Sequence, residues 1–168
     1  ARELLGRGWV EPAADSDGCY VADTAHIHPD ATLVGPVVVD SDAVIEAGAV
    51  VGPYAAIGSS ATVGAGAVLR DVVVDTDTTI GPNTTATDLV VGQGCDIGAG
   101  LTAAGNPTEV VLNGAVYSDI ELSGVLADRV NIGGGATLEP GTLVGPDATI
   151  GDGVVARGRI NGGSEVVR

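Results

Sequence analysis

An aliphatic residue recurs at every sixth position from Val21 through Ile27, Leu33, Val39, Ile45, Val51, Ile57 and Val63 to Leu69. The residue four places after each is small or β-branched: Ala25, Ala31, Val37, Ala43, Ala49, Ala55, Ala61, Ala67 and Val73. An amphipathic helix repeats its apolar face every 3.6 residues and a strand every 2, so neither keeps a beat of six. A hexapeptide-repeat parallel β-helix does. Three hexads make one triangular coil, each giving a short flat strand and a corner. The aliphatic side chain points into a narrow prism, and coils stacked at roughly 4.8 Å place like residues over like. The small residue lets the corner turn, and Gly or Asp near it tolerates the sharp bend. The predicted class is therefore all-β: a single-stranded parallel β-helix. Spacing does not set its hand, but a strict hexad resembles the left-handed type.

After Leu69 the beat slips. Val74 and Ile80 restart it, and Val91 and Ile97 fall out of phase with Ala86, which predicts a bulge or an extra residue near Asp88. One long excursion, near 103–124, then breaks the pattern. It is too long for a single corner, so it reads either as a loop leaving the coil or as a β-hairpin with Asn113-Gly114 as its turn. The beat resumes at Leu126, Ile132, Leu138, Val144, Ile150 and Ala156, with Val130, Ala136, Thr142, Ala148 and Val154 as corner partners. About eight coils result, enough repeats to be stable alone.

This divides the chain into 1–20, a β-helix over 21–160 and a C-terminal tail over 161–168. The opening Ala1-Arg2-Glu3-Leu4-Leu5-Gly6 reads as the last turn of a preceding domain's helix, stopped by Gly6 and Gly8. Trp9 and Val10 are candidates to cap the first coil, whose open prism end needs covering. The Gly-rich tail is expected to fray or to cross to a neighbour.

Composition supports the prism. Aromatic residues are 2% of the chain, with no Phe and no Met, which suits an interior too narrow for rings. Its 27 glycines read as corners rather than disorder, because the aliphatic ladder supplies a core. Charge adds something separate: 22 acidic residues face 7 basic ones for a net charge of −15, and every basic residue is Arg. An acidic, Lys-free surface fits a halophilic archaeon, whose salt screens self-repulsion, with an ordinary acidic bacterial protein as the alternative. In either case it argues against nucleic-acid or anionic-membrane partners, which need a basic patch. No signal peptide and no bilayer-length apolar run are visible, so the chain reads as cytoplasmic, with Cys19 and Cys95 reduced and structural.

The segment VVGQGCDIGAGLTAAG (90–105), the excursion, and GVLADRVNIGGGATLEPGTLVGPDATIG (124–151) together resemble the C-terminal β-helix of archaeal sugar-1-phosphate nucleotidylyltransferases. That domain is similar to the one in bifunctional N-acetylglucosamine-1-phosphate uridylyltransferase/glucosamine-1-phosphate N-acetyltransferase. The resemblance runs from about Cys19 to Arg159. It implies a left-handed coil, a homotrimer about an axis parallel to it, and a nucleotidyltransferase domain before residue 1, serving nucleotide-sugar biosynthesis. It also implies acetyl-CoA and sugar-phosphate sites in clefts between subunits, with a His as general base.

This chain departs from the family at that base. The usual His would fall near Pro82-Asn83, where there is none, leaving Asn83, a water or a residue from a neighbouring subunit as the catalytic candidate. The two histidines, His26 and His28, flank inward Ile27 and so face out near a corner. No metal site is predicted, since two adjacent histidines do not supply the three that a β-helical zinc enzyme gathers from its subunits. Arg157 and Arg159, with Arg129, are candidate ligands of the CoA phosphates, and Arg70 is a further cation. Asn113 and Tyr117 in the excursion are candidates to line a substrate cleft, unless Tyr117 packs onto the coil. Three functions follow: a trimerising domain of a sugar-phosphate nucleotidylyltransferase, an active acetyl-CoA-dependent sugar acetyltransferase, or a free-standing scaffold.

Overall fold

A computed structural model describes the backbone of residues 17–105, 107–112, 115–121 and 123–167, with side chains described outside the 106–122 segment. The positions expected to cap the first coil, Trp9 and Val10, and the helix-like opening lie outside the described residues. The rest is a parallel β-solenoid, with no helix among the described residues. Its strands form three sheets of eight, eight and seven members, called here faces A, B and C, plus a separate two-stranded sheet. This makes seven complete triangular coils and two faces of an eighth.

Face A begins at Cys19–Val21, face B at His26–Ile27 and face C at Thr32–Leu33. Every strand pairs in parallel with its counterpart in the next coil, so Val21 lies beneath Val39 and Val39 beneath Ile57. The inward residues and their corner partners make one continuous core. Ile45, Ile57, Leu69, Ile80, Ile97, Ile132, Leu138 and Ile150 are each at most 1% exposed. The ends are more open: Val21, Ile27 and Leu33 in the first coil, and Ile160 and Val166 in the last, are only partly buried.

Two corrections concern the beat. Val74 pairs with Ile57 and Val91 with Val74, one residue fewer per coil than below. The slip is thus a shortened corner between faces C and A, not an added residue. Asp71 (φ 51°) and Asp88 (φ 55°) each turn it alone in the left-handed region, which Asp tolerates better than most side chains. Consequently the buried corner partner after Leu69 is Val72 (1% exposed), and Val73 sits on the outside of face A. The third correction concerns the tail: Glu165–Val166 pairs with Thr149–Ile150 on face B, so the coil continues through it.

The excursion is a β-hairpin. Pro107–Leu112 and Ala115–Glu121 run antiparallel, with Leu112 opposite Ala115. Asn113 and Gly114, the expected turn, lie outside the described residues. Across the hairpin the coil keeps its register, because Val91 stacks directly under Leu126 and Ala103 under Leu138. Its root is tied to the coil at Asp88: the Ser123 N–H donates to the Asp88 carbonyl at 3.1 Å. Gly105 packs so closely there that a Cβ would sit 2.5 Å from the Asp88 carboxylate.

Candidate functional site

Each corner stacks into a column, and the columns decide what the candidate residues can do. At the turn from face B to face C, the third corner residue has positive φ coil after coil: Gly48, Gly66, Asn83, Gly100, Gly135 and Gly153. Asn83 (φ 56°) therefore stands where its neighbours above and below are glycine, and Asn is among the few side chains that tolerate this backbone. Its N–H donates to the Ala65 carbonyl at 2.9 Å, which further ties it to the turn.

At the turn from face A to face B the equivalent column holds Asp42, Ser60, Asp77, Gly94, Arg129, Asp147 and Gly163. Arg129 (φ 57°) forks onto the carboxylate one coil above, Nε to Asp147 Oδ1 at 2.6 Å and a terminal nitrogen to Oδ2 at 2.9 Å. That bidentate bond raises the guanidinium's affinity for its proton and holds the Asp147 carboxyl below the usual carboxylate range. Arg129 is thus already engaged, and it lies on a different edge of the prism from the other candidate cations. Nearby, burial pushes the Cys95 thiol up, and its Sγ lies 3.1 Å from the Ala127 carbonyl. Cys19 and Cys95 are both free and buried.

Arg70, Arg157 and Arg159 lie at or beside the turn from face C to face A, all exposed. No ion pair is found for them among the described residues. Arg159 takes the outward position of the last face A strand, across from Leu143. Below it the outward row of face A reads Leu143, Val125, Val90, Val73, Ala56, Val38 and Tyr20. Val90 is 40% and Leu143 38% exposed. By contrast, the outward row of face B carries His26, Asp96, Asn131 and Glu165 among Val and Thr, and that of face C mixes Thr32, Thr85, Thr102 and Thr137 with Val50, Val68 and Val155, the last 59% exposed. At its upper end the face A row deepens into a groove of about 350 Å³ lined by Val125, Leu143, Pro146, Arg159 and Ile160. This apolar row was not anticipated from sequence; its signal is present but falls on every third hexad only.

A second groove, of about 590 Å³, lies on face B at the first coils and is lined by His26, His28, Val44, Glu46 and Ala65. Both histidines face outward. His28 Nδ1 accepts the Asp30 N–H at 3.1 Å and lies 3.8 Å from the Asp30 carboxylate. Glu46 accepts the Ala65 N–H at 2.9 Å. Among the described residues no group of three His, Cys, Asp or Glu side chains is placed to hold a metal ion. Asn113 lies outside the described residues, and Tyr117 takes the backbone position opposite Val110 in the hairpin.

Residues 33–116, from the first coil into the hairpin, match the family model for the GMPPB C-terminal domain. The chain belongs to the GMPPB C-terminal domain family. As a member of it, the coil is a β-helix domain related to those of sugar nucleotidyltransferases. Among solved structures it is similar to the acetyltransferase domain of PglB from Neisseria gonorrhoeae, determined in complex with acetyl coenzyme A. There the TM-score is 0.53 and the identity 19%, over 84% of this chain and 53% of that one. It is similar also to a mutant of perosamine N-acetyltransferase from Caulobacter crescentus, with a TM-score of 0.35 and 20% identity over 85% and 50% of the two chains. The chain spans about half the length of each of these structures. The fold shared with the first of these is the left-handed β-helix. No curated protein matches the chain. No helix among the described residues is long and apolar enough to cross a membrane.

Proposed function

We propose that this is the trimerising β-helix domain of a sugar-1-phosphate nucleotidylyltransferase, serving nucleotide-sugar biosynthesis in the cytoplasm. It holds copies of a preceding nucleotidyltransferase domain together about an axis parallel to the coil. The observation that carries the reading is the apolar outward row of face A. Copies of a chain with net charge −15 repel one another, and at physiological ionic strength that repulsion reaches about 8 Å from each charge. Close approach is least opposed where an extended strip carries no charge, and burial of aliphatic surface then stabilises the contact. From Tyr20 to Leu143 the row has no ionisable group other than the Tyr20 phenol; the outward row of face C is uncharged too, but four of its seven residues are Thr, so face A offers the more continuous aliphatic surface. Support for acetyl transfer is thinner, because its base candidate Asn83 is accounted for by the corner it turns.

Light scattering on the purified chain tests this. A mass of three chains is expected, and Val90→Glu combined with Leu143→Glu should give single chains whose far-UV spectrum is unchanged. A single-chain mass for the parent protein would refute the reading, as would a double variant that stays trimeric. The acidic, Lys-free surface further supports a halophilic setting. Its test is thermal unfolding in 0.1 M against 2 M KCl, where a midpoint indifferent to salt would remove that part.

A further inference from the structure

The groove on face B at the first coils has no part in the assembly proposed above, and it gathers both histidines of the chain. His26 and His28 stand either side of inward Ile27, so their rings leave the same side of the backbone. Their Cα atoms are about 7 Å apart at roughly 3.3 Å per residue, a span that two imidazole side chains close onto one ion. His28 turns Nδ1 toward Asp30, 3.1 Å from its N–H and 3.8 Å from its carboxylate. Nε2 is then the nitrogen available to a ligand. The pairing of Ile27 with Ile45 sets Glu46 one coil above His28, about 4.8 Å along the axis. Its carboxylate accepts the Ala65 N–H at 2.9 Å, so it brings charge to the groove while its own position is held.

We propose that His26 and His28 chelate one divalent transition ion of the Cu²⁺, Ni²⁺ or Zn²⁺ class, with water completing its coordination. Neutral imidazole is a ligand that all three of these ions favour. The three-ligand centre of a zinc enzyme is not formed among the described residues. Two imidazoles flanking one inward residue are a smaller demand, and they need no partner subunit. With the ion on Nε2 of His28, the ring's proton is on Nδ1. Nδ1 then gives up the Asp30 N–H and donates to the Asp30 carboxylate, already only 3.8 Å away. A carboxylate behind a ligating ring fixes its orientation and raises its basicity, which makes Asp30 a positioning residue. The Glu46 charge one coil above favours a cation over an anionic ligand. The effect falls where the prism is weakest, because Ile27 is only partly buried while Ile45 above it is 1% exposed. An ion held more tightly by the folded strand than by the unfolded chain stabilises this end of the coil.

Calorimetric titration of NiCl₂ into the chain, freed of any polyhistidine tag, tests the site. One ion per chain is expected, and Cys19 and Cys95 are buried and do not compete. His26→Ala and His28→Ala should each weaken binding by more than about tenfold, and Asp30→Asn by about tenfold, the low end for a group behind a ligand. All three variants should keep the parent's far-UV spectrum. Loaded with Cu²⁺, the parent should give an electron paramagnetic resonance signal with two bound nitrogens and each single histidine variant a signal with one. Saturating Ni²⁺ should raise the thermal midpoint of the parent and leave that of the double histidine variant unmoved. Excess Mg²⁺, which prefers oxygen ligands, should not displace the Ni²⁺. Four outcomes overturn the proposal: no binding by the parent chain, binding that survives loss of both histidines, a single-nitrogen signal in the parent, or displacement by Mg²⁺. Oligomeric state does not enter these measurements, so the site stands or falls apart from the assembly reading.

Discussion

Substituting Gly98 by Ala tests whether close stacking of corners, rather than backbone conformation, holds the coils together. A Cβ at Gly98 would stand 2.6 Å from the Gly134 nitrogen, 2.7 Å from the Gly133 carbonyl carbon and 2.9 Å from the Ile132 oxygen. All three are backbone atoms of the coil above, so no side chain can swing aside. Relief requires the two coils to part by most of an ångström at this corner. That lengthens the bond from Gly98 N–H to the Ile132 carbonyl, now 2.6 Å, and strains its neighbours, Gly135 N–H to Ala99 O at 2.8 Å and Thr102 N–H to Ala136 O at 3.0 Å. Each is worth about 1 kcal/mol net, so the substitution should cost about 3 kcal/mol, at the upper end of what overpacking usually does. Gly135→Ala is the control. It has φ 66° and nothing within 4 Å of its added Cβ, so only the left-handed backbone opposes it, at about 1 kcal/mol. Guanidinium unfolding followed by far-UV circular dichroism gives both values. Equal costs, or a larger one at Gly135, would show that backbone conformation and not stacking is limiting, and would refute the argument.

Three further outcomes follow from the same geometry. Ile97→Ala, at a ladder position 1% exposed, should cost about 2–5 kcal/mol by the same unfolding assay; a cost under about 1 kcal/mol would mean the prism collapses around the gap. Asn83→Gly should leave stability within about 0.5 kcal/mol of the parent while Asn83→Ala costs about 1 kcal/mol, and the reverse order would return Asn83 to the list of chemical candidates. The Asp147 carboxyl titrates lower in the folded chain than when unfolded, because Arg129 holds its charged form. Its contribution to stability is therefore present above the usual carboxylate range and lost as pH falls below it. Asp147→Asn should flatten that part of the acid limb of stability against pH, and molar salt should shrink the difference since the pair is exposed.

The prism was legible because its cause is periodic: an inward side chain every six residues cannot be mistaken for a helix or an ordinary strand. The shortened corners were harder to place. Val72, Val73 and Val74 are three valines in a row, so sequence offers no contrast to say which two face inward. Only the φ of Asp71 shows that a single residue makes the turn. The Arg129 fork was readable in principle, since Asp147 lies one full coil further on. It stayed hidden because nothing in an Arg announces a left-handed backbone. Face A's apolar row was hidden for a related reason. Val90, Val125 and Leu143 fall together only once each hexad has been assigned to a face and the hairpin removed from the count. The histidines could be placed on the outside from their spacing around Ile27, but the bond from the Asp30 N–H to His28 is a detail that spacing does not reveal.

The hairpin leaves at Gly105 and returns at Ser123 without shifting the stack by a single residue, since Val91 meets Leu126 as though nothing lay between them. The solenoid therefore has a socket, a place in the chain where length is a free variable. A reporter, an affinity peptide or a second folded module spliced in there would inherit a fixed exit point on a rigid rod, and its neighbours along the rod would not register the change.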